Sequence, residues 1–135
     1  MNKTLWKIIK DSKDENKYTK SKKQYENLHN ILSKLPQIEV SKLRDEWADK
    51  SNEMTSNEEF NKLHYDDGGI ITSGDDGFYM DFASWVIAQG EELYEDFMEN
   101  GHSVVLNYIK ENNIPKSDYM FECMEYVFLD FENEY

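Results

Sequence analysis

The chain has 135 residues, 39% of them hydrophobic and 14% aromatic, and a net charge of −13. That length suits one domain burying roughly 65 to 70% of the surface its unfolded form exposes, and the aromatic content excludes a disordered chain despite 32% charged residues. A single cysteine, Cys123, excludes an internal disulfide and a cysteine-based zinc site, and it fits a reducing cytoplasm.

The charge is divided unevenly. Residues 1–50 hold 12 Lys+Arg against 8 Asp+Glu, whereas residues 51–135 hold 3 against 20, so the two parts carry +4 and −17. Such a surface repels nucleic acid and anionic lipid and steers basic protein partners toward it. The apolar run within Met1–Asp11 is interrupted by Lys7 and Lys10, which makes it neither a signal segment nor a membrane span. A cytoplasmic protein without nucleic-acid or membrane partners is therefore expected.

Apolar residues recur at helical spacing, and no stretch alternates with period two, so the sequence predicts an all-α chain. Leu5, Ile8 and Ile9 predict a short amphipathic helix, with Asp11–Asn16 as a loop or frayed continuation. Tyr18, Tyr25, Leu28, Leu32 and Leu35 line a second helix that Pro36 stops. Lys17, Lys20, Lys22 and Lys23 crowd its start, where the helix dipole favours acids. They face water or contact the acidic half, not helix-stabilising partners.

Val40, Leu43, Trp47 and Met54 mark a third helix, and Phe60, Leu63 and Tyr65 a fourth after a polar break at Thr55–Asn57. Gly68, Gly69, Gly74 and Gly77, interleaved with Asp66, Asp67, Asp75 and Asp76, locally spell a loop, with the conformation of Asp66–Ile71 left open. From Phe78 the stripe Phe78, Phe82, Trp85, Gln89, flanked by Tyr79, Met80, Ala83, Val86 and Ile87, predicts a central helix apolar nearly all round. Leu93, Tyr94, Phe97 and Met98 follow in an amphipathic helix that ends at Asn100-Gly101, and Val104, Val105, Tyr108 and Ile109 give another. Pro115 and a Ser117 cap introduce a last helix whose Met120, Met124, Val127, Phe128 and Phe131 face the core. The expectation is a single domain over residues 1–135, an irregular bundle of about six to eight helices.

Candidate chemistry is sparse. Asp75 and Asp76, with Ser73, precede the central helix, where a carboxylate accepts backbone N–H bonds, so capping accounts for the pair better than catalysis does. Neighbouring residues at a helix start diverge, whereas an acid–base pair must converge on one substrate. Asp66, Asp67, Asp75 and Asp76 lack the EF-hand spacing. His29, His64 and His102 form no ligand pair, Cys123 lies between Glu122 and Glu125, and no Lys-Ser/Thr follows the glycines. No metal and no cofactor is expected.

The segment Gly74-Asp75-Asp76-Gly77-Phe78-Tyr79-Met80-Asp81-Phe82-Ala83-Ser84-Trp85-Val86-Ile87-Ala88-Gln89-Gly90 resembles the hallmark of a bacterial family, domain of unknown function 4240. Leu5-Trp6 with Ile9 is similar to that family's opening helix, and Glu122 to Tyr126 to its closing segment. The resemblance implies a compact helical domain and no established reaction. Ala83 stands where the family usually has arginine, and Glu91 where a basic residue is common. Both departures weaken an inherited active site and favour an acidified binding surface.

The expected function is accordingly non-enzymatic: binding of a basic protein, in the manner of an immunity protein or antitoxin that inhibits a basic bacterial toxin. The expected contact residues are Glu91, Glu92, Glu95, Asp96 and Glu99, with Tyr94 as an aromatic anchor. The competing expectation is a small enzyme or a ligand- or metal-sensing domain using Asp75, Asp76 and Asp81 at the mouth of the central helix.

Overall fold

Two tryptophans and a helix with no polar side organise the molecule. The computed structural model describes residues 4–13, 18–63, 76–119 and 124–131. In chain order it has α1 (Leu5–Ser12), α2 (Ser21–Leu32), α3 (Gln37–Thr55), α4 (Glu58–Asn61), α5 (Asp76–Gln89), α6 (Glu91–Asn100), α7 (Ser103–Glu111) and α8 (Lys116–Tyr119), followed by a 3₁₀ helix at Met124–Phe131. The fold is all-α, with no strand among the described residues.

The central helix forms as its pattern demands. In α5 every side chain from Phe82 to Gln89 is buried, and Trp85, Val86, Ile87 and Ala88 are wholly inaccessible. Such a helix is stable only when other helices enclose it. α3 packs along it most extensively, presenting Val40, Leu43, Trp47, Ser51 and Met54 from one face, and α6 and the 3₁₀ helix cover other sides. Each large apolar side chain removed from water contributes about 1.5–3 kcal/mol, so the α3–α5 seam is a principal source of stability.

Both buried indoles would be costly without partners, and serines supply them. Trp85 Nε1 donates to Ser21 Oγ of α2 at 3.1 Å, and Trp47 Nε1 donates to Ser84 Oγ of α5 at 3.1 Å. Ser21 Oγ in turn donates to the Asp118 carbonyl of α8 at 2.8 Å, and Tyr18 OH donates to the Asp118 carboxylate. Gln24, fully buried on α2, donates from Nε2 to the Ala88 carbonyl and to Ser12 Oγ, which itself donates to the Ile9 carbonyl. α2 is thus fastened to α1, α5 and α8 by polar contacts within the core.

The helix ends follow local chemistry. Thr4 Oγ1 accepts from Lys7 N and Asn57 Oδ1 accepts from Glu59 N, so each begins a helix with its side chain, while Pro36 precedes α3. α2 is shorter than its apolar pattern suggests: Tyr18 and Leu35 lie beyond its ends, yet both pack against the core. Gly90 (φ 119°) and Gly101 (φ 94°) carry the chain between α5, α6 and α7 in conformations that residues with a Cβ avoid. Two parts of the predicted last helix lie within the described residues, and Met120 lies outside them. Lys116–Tyr119 forms one α-helical turn, and Met124–Phe131 is 3₁₀, burying Met124, Val127 and Phe128 as expected. Ser117 lies inside α8 instead of capping it, because the helix already starts at Lys116, directly after Pro115.

Candidate functional site: an acidic helix face and the cleft at its start

α6 separates its residues by chemistry. At 100° per residue, Leu93, Tyr94 and Phe97 point to the core, while Glu91, Glu95, Glu99, Glu92 and Asp96 fall within about 140° of arc on the opposite side. All five acids are exposed, and none makes an ion pair among the described residues. Asp96 accepts a hydrogen bond from Asn100 Nδ2 at 2.6 Å, within its own helix. The expected acidic contact residues therefore share one continuous solvent-facing stripe.

Tyr94 corrects the expectation. Its side chain is only 2% exposed, packed against Trp6 with ring centroids 5.4 Å apart and covered by the Lys50 ammonium 5.4 Å from its ring centre. The helical period places it with Leu93 and Phe97, so it holds α6 to the body and offers no surface to a partner. Burial, reinforced by the charges of Glu53 and Glu95, pushes its hydroxyl pKa up to about 12.

The alternative residues lie elsewhere. Asp75 falls outside the described residues, as do the aspartate–glycine stretch before it, His64 and Cys123. Asp76 is the first residue of α5, and Asp81 is half-buried one turn further on. That end of α5 is about 20 Å from its other end at Gln89, from the helical rise. Among the described residues no group of three or more His, Cys, Asp or Glu side chains could hold a metal ion.

A feature that sequence reasoning missed lies where α5 gives way to α6. A cleft of about 570 Å³ opens there, bounded by α1, the start of α6 and the last turn of α7. Gln89, 4% exposed, forms its floor, and Gly90 follows, where an added Cβ would meet nothing within 4 Å. Lys13 Nζ donates to the Gln89 carbonyl at 2.7 Å, placing a cation at the C-terminus of α5, where the helix dipole favours it. Tyr108 OH donates to Gln89 Oε1 at 3.0 Å, and Gln89 Nε2 donates to the Trp85 carbonyl at 2.9 Å.

Burial lowers the Lys13 pKa, opposed by the nearby charge of Glu92, and burial raises that of Tyr108, assisted by the same carboxylate. Glu92 and Asp96 belong both to the acidic stripe and to the cleft wall. Sequence could have hinted at this junction only through Gly90, since Lys13, Gln89 and Tyr108 are 76 and 19 residues apart along the chain.

A family model described as protein of unknown function (DUF4240) matches residues 1–133. No curated protein and no solved structure matches the chain.

Proposed function

The chain belongs to the DUF4240 family, and we propose that it acts there as a non-enzymatic binding module for a basic protein, docked on the exposed face of α6. One observation carries this reading: Glu91, Glu92, Glu95, Asp96 and Glu99 occupy a single unpaired arc on a helix whose other side is locked into the core. A rigid row of like charges strains the isolated protein slightly and is relieved by a cationic surface. It also speeds encounter through long-range attraction.

An immunity- or antitoxin-like role in a bacterial cytoplasm suits such a face, because rapid capture is what neutralising a toxin demands. The test is co-expression with a cationic toxin first captured from the native host on the wild-type chain. The wild-type chain restores growth and co-purifies with the toxin, whereas Glu92→Lys/Glu95→Lys/Glu99→Lys does neither while retaining its melting temperature. Protection and co-purification that survive the triple reversal would refute the reading.

A further inference from the structure

Two sets of opposite charge line the α5–α6 cleft without forming an ion pair among the described residues. α1 and the residue that ends it supply Lys10 and Lys13, and α6 and α7 supply Glu91, Glu92, Asp96 and Glu111. Glu92 is close enough for its charge to act on Lys13. Trp6 and Val104 add apolar wall between them, and the floor is the buried Gln89, oriented by Trp85 and Tyr108.

We propose that this cleft binds a small zwitterion of the amino-acid class, with one carboxylate and one ammonium on a partly apolar body. A purely anionic ligand would meet the carboxylates of α6 and α7, and a purely cationic one would meet the two lysines. A neutral apolar ligand would strip water from charges it cannot replace. A zwitterion satisfies both walls. Its carboxylate lies toward Lys10, beside Lys13. Its ammonium lies toward Asp96 and Glu111, and its body rests on Trp6. The volume falls in the range of small-molecule sites, roughly 300–1,000 Å³. The cleft shares Glu92 and Asp96 with the α6 face, but binding there requires no docked partner.

The test is calorimetric titration of the full chain with each standard amino acid at up to about 10 mM, followed by the N-acetylated and amidated forms of the best binder. The free amino acid should bind at least about tenfold more tightly than either blocked form, because each block removes one charge-assisted contact. Lys10→Gln and Glu111→Gln, both at exposed positions, should each weaken binding about tenfold with the melting temperature unchanged. Absence of binding by every amino acid, equal affinity for the blocked forms, or unchanged affinity in either variant would overturn the proposal.

Discussion

The carboxylate of Glu59 grips the start of α7 from 43 residues away: its Oε1 accepts from the backbone N–H of His102 at 3.0 Å and lies 2.8 Å from His102 Nδ1. Lys62 Nζ donates to the other oxygen at 2.7 Å. Short α4 is thereby joined to the α6–α7 turn, and the α6 face is held at the end where its last acid, Glu99, lies.

That grip sets a pH dependence. The His102 hydrogen bond foremost, then Lys62, hold the Glu59 carboxyl down to about 2 from an ordinary value of 4.5. A carboxyl depressed in the folded state stabilises it fully above the ordinary value, and the contribution is lost as pH falls from about 4.5 toward 2. Thermal melts should show Glu59→Gln below wild type at neutral pH, with the gap closing through that window. A gap that stays constant down to pH 2 would rule out the linkage.

The two positive-φ glycines should respond unequally to alanine. Both substitutions strain a backbone conformation reserved for glycine, at about 1–3 kcal/mol. Gly101→Ala also drives its Cβ into the Glu59 carboxylate, whereas at Gly90 there is open space. Urea unfolding should therefore rank Gly101→Ala as the more destabilised, and it should release the Glu59 contact as well.

Ser21→Ala should cost about 1–3 kcal/mol in urea unfolding, because it leaves the buried Trp85 N–H without its acceptor and the Asp118 carbonyl without its donor. Adding Trp85→Phe should cost less in the Ser21→Ala background than in wild type. A double-mutant cycle measures the difference, and strict additivity would show that the hydrogen bond is energetically idle.

Association with the proposed cationic partner should be rate-sensitive to salt. Raising ionic strength to about 1 M, where the screening length is roughly 3 Å, should slow association by about tenfold or more, with little change in dissociation. Stopped-flow measurements on Glu95→Lys/Glu99→Lys should show a slower, flatter dependence than wild type.

Much of the architecture was readable one helix at a time. Period alone located α1, α3, α5, α6 and α7, because within a helix spacing dictates direction. The same spacing put Tyr94 with Leu93 and Phe97. Assigning it to a surface ignored that geometry in favour of its residue type. Lys13 beneath Gln89, and Glu59 against His102, could not be read at all. Such contacts arise where elements remote in sequence meet, and no local pattern encodes that distance. The charge imbalance between the two parts was plain, but only the fold shows that Lys10 and Lys13 line the same cleft as Glu92.

The ties that fasten α2 have a bearing on biosynthesis. Gln24 waits for Ala88, 64 residues later, and Ser21 for Asp118, 97 residues later. A nascent chain emerging from the ribosome holds these donors and acceptors idle until Ala88 and then Asp118 have been made. Helical turns can form early, but the assembly locks only once α8 has been made, so truncation within α8 should yield a collapsed, unlatched product instead of a slightly shorter native one.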